Sequence, residues 1–275
     1  GDGTARLTVA RGRLEGGLAF PGAGFQAAVR GPLDPRATLD GSLEARDVDL
    51  GPLARAVLPG RQLDLAGKLT GSASLELPLA DPAAGRARAA LDPVSLTIAG
   101  DPWRNRGPVL LRWDGGALHV EQLILESPLG SFSAQGRLEP GGPVDVDLRG
   151  EVPLGILPAL TPAVEQASGR LSLRGAVQGS TAAPRLEGEG RLQDAALRLG
   201  GYPDPLREVE ARFTVSPAGV QVERVRGRIG DGRFEGDGIA LLEGARLGSY
   251  RFRLVGQALP LVPLEGLRTV WDAEL

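Results

Sequence analysis

The stretch that decides the fold is 169–199, GRLSLRGAVQGSTAAPRLEGEGRLQDAALRL. In its first half Leu171, Leu173 and Val177 alternate with polar residues. An extended chain would therefore have one apolar and one polar face, which is typical of a half-buried β-strand. Residues 179–184 have the composition of a turn, and the alternation resumes after them. The stretch predicts a β-hairpin.

The same pattern recurs along nearly the whole chain, and we expect roughly eighteen short strands. Asp114-Gly115-Gly116 has hairpin-turn composition between two of them. Some apolar runs are split by Gly or Pro and are predicted as separate strands, at 62–70 and 72–79 and again at 85–91 and 94–99. Residues 101–108, DPWRNRGP, break the alternation and are predicted as a loop.

The bulk composition excludes several classes of protein. The formal net charge is −3, from 31 Lys and Arg against 34 Asp and Glu, so the basic footprint of a nucleic-acid-binding protein is missing. There is no Cys, which excludes disulfides and cysteine-based zinc sites. There is also no Met, and the chain opens with Gly1-Asp2-Gly3, so we expect an excerpt from a longer protein. No apolar run reaches the length of about 20 residues that spans a membrane.

An internal repeat organises the chain. Short helical patterns occur at 48–58, from 152 to about 166, and again from 259. These starts are 152 − 48 = 104 and 259 − 152 = 107 residues apart, which predicts a repeat of about 105 residues in which stacked units share one core. The predicted divisions are 1–47 as the end of a first β-repeat, 48–151 and 152–258 as two repeats that each open with a short helix, and 259–275 as the start of a further one.

The strands predict a sheet with one continuous apolar face. Such a face can pack on a second sheet, close into a barrel, or accept a foreign apolar ligand, because each apolar side chain gains about 1.5–3 kcal/mol by burial. About eighteen strands are too many for a flat open sheet. Glycines inside strands permit sharp bending, and they occur at Gly16, Gly41, Gly67, Gly136, Gly175, Gly188, Gly227 and Gly236. We therefore expect an elongated, strongly curved, trough-like antiparallel sheet.

Two stretches resemble the TamB-like proteins. Residues 169–179, GRLSLRGAVQG, and 184–195, PRLEGEGRLQDA, are similar to that family's phrase G-x-L-x-L-x-G…P-x-L-x-G-x-L-x-L-x-D-A. Residues 225–238, VRGRIGDGRFEGDG, resemble the strand pair that follows it. The similarity is best over 150–260 and weaker, but in register, over 1–150. TamB belongs with the AsmA-like proteins of Gram-negative envelopes.

The resemblance implies a β-taco fold, which is a curved sheet around a hydrophobic groove, in the periplasm. It also implies an inner-membrane anchor outside these residues, and a role in carrying phospholipid toward the outer membrane or in assembling outer-membrane proteins. An outer-membrane barrel protein would be a partner through regions outside this chain, because the family's domain for that contact is not recognisable here.

The candidate groove lining is the set of large apolar residues on the predicted inner face, and phospholipid acyl chains are the expected ligand. The set is Leu63, Leu65, Leu75, Leu77, Leu96, Ile98, Leu111, Leu123, Leu125, Phe132, Val146, Leu148, Leu171, Leu173, Val177, Leu186, Leu197, Phe213, Val215, Val222, Ile229, Phe234, Phe252 and Leu254.

Motifs of other chemistries are weak. His119 is the only histidine, so His-based triads and His-rich metal sites are excluded. Residues 230–238, GDGRFEGDG, faintly resemble calcium-binding repeats but occur once, and we interpret them as a Gly-rich turn. Asp145 and Asp147 are interpreted as a solvated strand face. Trp103 is interpreted as a loop aromatic that covers the sheet end, with a lipid or partner contact as the alternative. We expect no enzyme and no cofactor.

Three functions remain open from the sequence. The first is a non-enzymatic lipid conduit with acyl chains in the trough and headgroups at its wet edge. The second is a chaperone or assembly factor that receives strands of outer-membrane proteins by β-augmentation. The third is a solenoid adhesin or a glycan-processing enzyme, for which the expected carboxylate cluster on a groove is not found. The first is our leading hypothesis.

Overall fold

The chain is all-β in a computed structural model that describes residues 3–51, 65–98, 100–160, 163–201, 204–243 and 246–258. Within these ranges 17 strands are assigned to one antiparallel sheet, which confirms the predicted class and strand direction. The chain divides into two compact units, which are treated one at a time. Unit 1 comprises Gly1–Pro128 with Ser133–Val146, and unit 2 comprises Leu129–Phe132 with Asp147–Leu275.

Unit 1 is built from nine complete strands and parts of two more. Each of the first five strands pairs antiparallel with the next strand along the chain. The sixth strand pairs with the seventh and with the eighth, and the ninth strand pairs with the same two. The strands are β1 (Thr4–Ala10), β2 (Arg13–Phe20), β3 (Phe25–Pro32), β4 (Thr38–Asp49), β5 (Leu65–Pro78), β6 (Arg86–Ile98), β7 (Asp101–Asn105), β8 (Val109–Asp114) and β9 (Ala117–Ser127).

In unit 2 each strand from the twelfth onward pairs antiparallel with the next one along the chain. Its complete strands are β12 (Val164–Ser180), β13 (Ala183–Leu199), β14 (Leu206–Ser216), β15 (Gly219–Ile229), β16 (Gly232–Glu243) and β17 (Arg246–Gln257). Two further strands, β10 (Gly130–Leu138) and β11 (Pro143–Pro153), have residues in both units.

Several predicted strand breaks are wrong, because the chain stays extended through them. β5 continues through Gly71, and β6 continues through Asp92 and Pro93. At Gly71 an ideal Cβ would lie 2.5 Å from the carbonyl oxygen of Ala90 on the next strand. The glycine therefore marks a close approach between two backbones, and not a turn. β9 is likewise continuous from Ala117 to Ser127.

The predicted loop at 101–108 is also wrong in its first half, which is strand β7. β7 and β8 pair with successive parts of β6, and Asn105 fills the gap between them. The Asn105 side-chain oxygen accepts a hydrogen bond of 2.7 Å from the backbone N–H of Val94, and its amide nitrogen donates to the carbonyl oxygen of Gly107 at 2.8 Å. A side chain thus replaces ladder hydrogen bonds where the strand is interrupted.

The second predicted helix is much shorter than expected. Its first residues belong to β11; a 3₁₀ turn follows at Leu154–Ile156 and an α-helix, α1, at Leu157–Leu160. Val164 already belongs to β12, where pairing with Leu199 of β13 overrides the helical spacing. Of the first predicted helix, Val48 lies in β4, and residues 52–58 lie outside the described residues, as does the third helical pattern.

The most buried part of unit 2 lies where this helical segment meets the sheet. The segment packs against β12, and its Leu154 is 2% exposed and shares a cluster with Ala195, Val209 and Phe234. In unit 1 the hairpin predicted at 114–116 is confirmed, because Asp114 pairs with Ala117. Gly115 and Gly116 have φ of 59° and 83°, as a two-residue type I′ turn requires.

Candidate functional site: the apolar face of each unit

The strand register places the apolar residues of unit 1 on one face of its sheet. Residues opposite each other on paired strands have side chains on the same face. One row of such partners crosses five strands, and it consists of Gly41, Leu75, Ala87, Trp113 and Leu118. We call the surface that contains this row the apolar face of unit 1.

The next row of residues points to the other side and is entirely polar. It crosses the same five strands as Ser42, Ser74, Arg88, Arg112 and His119. Two adjacent rows therefore differ completely in chemistry, which is the consequence of a strict period of two residues in each strand. His119 lies on this polar face of unit 1, opposite Arg112.

Unit 2 separates apolar from polar residues in the same way. A row of partners crosses all six of its complete strands as Leu171, Leu192, Ala211, Val225, Gly236 and Leu254. The surface that contains this row is the apolar face of unit 2. On the opposite, polar face of unit 2, Ser172, Arg191, Arg212 and Arg224 are partners in register.

In unit 1 the predicted lining residues occur on its apolar face, by register or by alternation with residues in register. Leu63 lies outside the described residues. Leu65 is the partner of Ile98 in the strand ladder. Leu125 is buried, and the half-buried members are Leu75, Leu77, Leu96, Ile98, Leu111 and Leu123.

Three lining residues fall on the β10–β11 hairpin. Phe132 lies beside Gly150, where an ideal Cβ would be 3.2 Å from the Phe132 ring. Leu148 is on the same side as Gly150 by alternation, and Val146 precedes it by two residues. Phe132, Val146 and Leu148 are all half-buried.

On the complete strands of unit 2, the twelve predicted lining residues occur on its apolar face by register or alternation. They differ in how far they are covered. Val215 and Phe234 are buried, Leu186 and Phe252 are exposed, and the half-buried members are Leu171, Leu173, Val177, Leu197, Phe213, Val222, Ile229 and Leu254.

The burial of these faces is incomplete. Leu39 is 4% exposed in the middle of unit 1, whereas Leu7 on β1 is 70% exposed. Within the described ranges no polar side chain is buried and no large side chain is fully buried. A sandwich core would bury its large apolar residues between two layers, so these faces retain apolar surface that the described residues leave accessible.

Exposed ion pairs lie on the polar faces, both within a strand and between neighbouring strands. Arg112 donates to Glu121 at 2.8 Å and to Asp114 at 3.0 Å, and Asp114 also accepts from Arg86 at 3.1 Å. Such exposed pairs contribute about 0–1 kcal/mol each to stability. They therefore add little to the stability of the fold.

Sequence analysis missed several members of the apolar faces. Trp103 is 5% exposed in β7, opposite Leu96, so its interpretation as a loop aromatic is wrong. Prolines on both sides of its segment hid the alternation. Trp113 follows Leu111 by two residues in β8, and that spacing was a usable signal. Val209 was hidden by the irregular register between β13 and β14.

The weak motifs fall in ordinary structural positions. Gly230 and Asp231 connect β15 to β16, and residues 232–238 continue as strand. Asp145 and Asp147 are both exposed on β11. The part of the chain that the structure describes holds no group of three side chains suited to a metal ion. Nor does any described helix have the length and apolar character needed to cross a membrane.

No protein-family model, curated protein or solved structure matches this chain.

Proposed function

We propose that this chain is a non-enzymatic segment of a hydrophobic groove that carries phospholipid between the two membranes of a Gram-negative envelope. In this proposal the chain is TamB-like, lies in the periplasm, and is anchored to the inner membrane by a segment outside these residues. Acyl chains lie on the apolar faces and headgroups stay at the strand ends. The observation that carries the proposal is the separation of apolar from polar residues in the strand rows described above, on the sheet of each unit.

The energetic argument starts from the accessible apolar surface. Burial of apolar surface contributes roughly 25 cal/mol per Å², so a face of half-buried Leu, Val and Phe gains free energy from an apolar ligand. Each methylene of an acyl chain contributes about 0.8 kcal/mol on burial. Contacts of this kind have no preferred direction, so a bound chain can slide along the face while it stays bound.

Two features support a sheet that curves toward its apolar faces. Where the strand register shows on which face a predicted bending glycine lies, that face is the apolar one. Examples are Gly41, the partner of Leu75, and Gly236, the partner of Leu254. Register shifts also interrupt most strand pairs, including β4–β5, β5–β6, β13–β14 and β15–β16. Glycines and bulges are the devices that bend and coil β-sheets.

The element order supports the repeat of about 105 residues. In each predicted copy two long strands come first, β5 and β6 or β12 and β13, and shorter strands follow. β9 and β15 begin 219 − 117 = 102 residues apart, and β10 and β16 begin 232 − 130 = 102 residues apart.

The test is phospholipid binding by the purified chain, with Leu173→Asp as the variant and Ser172→Asp as the matched control on the opposite face. The wild-type chain is incubated with phosphatidylethanolamine vesicles, re-isolated, and analysed by native mass spectrometry. An unpaired charge that faces hydrocarbon costs several kcal/mol. We therefore expect bound lipid on the wild type and on Ser172→Asp, and at least tenfold less on Leu173→Asp.

Circular dichroism of each variant shows whether it is folded. The proposal is contradicted if Leu173→Asp and the wild type are both folded and bind equal amounts of lipid. It is also contradicted if the wild type binds no lipid. Capture of unfolded outer-membrane barrel protein without any lipid would favour the assembly function instead.

A further inference from the structure

On the polar face of unit 2, two arginines near the middle of the strands pair with carboxylates on a neighbouring strand. Arg226 donates to Glu210 at 2.6 Å, and Arg224 donates to Glu235 at 2.9 Å. Opposite charges on adjacent strands stabilise a sheet by up to about 1 kcal/mol per pair, and like charges directly opposite destabilise it. Arg191 and Arg212 are partners on β13 and β14, and among the described residues neither has a carboxylate within ion-pair distance.

One row at the strand ends consists of three consecutive arginines without such a pair. Arg207, Arg228 and Arg233 are consecutive partners across β14, β15 and β16, and we call them the arginine row. Among the described residues no carboxylate lies within ion-pair distance of any of the three. Neither Glu208 nor Asp231, which are adjacent in the sequence or in the turn, pairs with them. Three in-register cations are thus left uncompensated in a chain of formal net charge −3.

The arginine row lies where the polar and apolar faces of unit 2 meet. Arg207 follows Leu206 and Arg228 precedes Ile229, and these two apolar residues are partners on the apolar face. Both pack against the buried cluster of that face. Gly230 and Asp231 form the short connection between Arg228 and Arg233, so the row is the last set of polar-face side chains before the strand ends.

We propose that the arginine row binds the phosphate of a phospholipid headgroup whose acyl chains lie on the apolar face of unit 2. This inference rests on the proposed function, because an amphiphile held by its tails on that face presents its headgroup at the strand ends. The guanidinium group is planar and donates two parallel hydrogen bonds to a phosphate. A bound phosphate also removes the repulsion between the three arginines.

The experiment compares two lipids with matched, pyrene-labelled acyl chains: phosphatidylglycerol, and diacylglycerol, which has no phosphate. The test variant is Arg207→Gln/Arg228→Gln/Arg233→Gln. The control is Arg224→Gln/Arg226→Gln/Arg253→Gln, which removes the same charge from the same face. We expect the test variant to lose at least about tenfold in affinity for phosphatidylglycerol, equivalent to about 1.4 kcal/mol, and to bind diacylglycerol as the wild type does. The control should stay within about twofold for both lipids.

Stability provides an independent readout. Because the test variant removes repulsion between like charges, its urea unfolding midpoint should equal or exceed that of the wild type. A lower midpoint would assign the arginines a structural role and overturn the proposal.

The outcomes separate this inference from the proposed function. Two results overturn the arginine row as a headgroup site and leave the hydrophobic groove intact. One is that the wild type binds diacylglycerol and phosphatidylglycerol with equal affinity. The other is that the test and control variants lose the same affinity for phosphatidylglycerol. Binding of neither lipid overturns both. A further outcome is that the wild type binds the two lipids equally, while inorganic phosphate or poly-glutamate raises its unfolding midpoint but not that of the test variant. In that case the arginine row binds free anions or acidic protein instead.

Discussion

At the residue scale, the close approach of β12 and β13 depends on two glycines that face each other. Gly175 and Gly188 are partners in register, and an ideal Cβ on Gly175 would lie 2.3 Å from the carbonyl oxygen of Glu187. That oxygen is backbone and cannot rotate away as a side chain could. We therefore expect Gly175→Ala to separate the strands locally and to lower the free energy of unfolding by about 1–3 kcal/mol, measured by urea denaturation.

The matched control is Gly17→Ala on β2. There an ideal Cβ would have only the carbonyl oxygen of Ala27 as a neighbour, at 4.0 Å. Alanine fits this space and restricts the unfolded chain, so the free energy of unfolding should stay the same or rise slightly. Equal stability of Gly175→Ala and the wild type would show that the strands can move apart without cost.

At the element scale, the helical segment from Leu154 to Leu160 is too short to be stable alone, because an isolated helix of this length does not offset its nucleation cost. It is held by packing, and Leu154 is the most buried of the side chains described at 154–158, in a cluster with Ala195 and Val209. We expect Leu154→Ala to cost about 2–5 kcal/mol and to increase amide hydrogen exchange in 154–160 and at the start of β12. Hydrogen-exchange mass spectrometry measures the second effect.

The control is Leu129→Ala, which truncates a leucine that is 56% exposed between β9 and β10. Its effect should stay within about 0.5 kcal/mol, as for most surface substitutions. If the two variants destabilise equally, the segment does not depend on the cluster.

At the scale of the whole molecule, incompletely buried apolar faces in both units make stability dependent on amphiphiles. A ligand that binds only the folded state adds about 2.7 kcal/mol at a concentration 100 times its Kd. We expect lysophosphatidylcholine, below its critical micelle concentration, to raise the urea unfolding midpoint of the wild type. Leu75→Asp, which places a charge on the apolar face of unit 1, should show a smaller rise than Ser74→Asp on the opposite face. No shift for the wild type would contradict an accessible apolar face.

Much of the candidate site follows from spacing alone. Leu171 and Leu173, or Leu75 and Leu77, lie on one face because successive side chains of any strand point to opposite sides. The breaks at Gly71 and at Asp92-Pro93 were predicted wrongly because Gly and Pro are also used inside strands, where a neighbouring backbone approaches closely or a bulge forms. The local composition of such a strand interior is the same as that of a turn between two strands.

The sequence by itself determined the strand class, the hairpin turn at Gly115 and Gly116, and the residues that share a face within each strand. These are properties of a few neighbouring residues. Only the tertiary structure decided which residues become partners across strands, and with them the uncompensated arginine row and the placement of Trp103 on the apolar face. The physical reason is that register depends on bulges and on the fit between whole strands, so residues far apart in the chain acquire a common environment only when the strands pair.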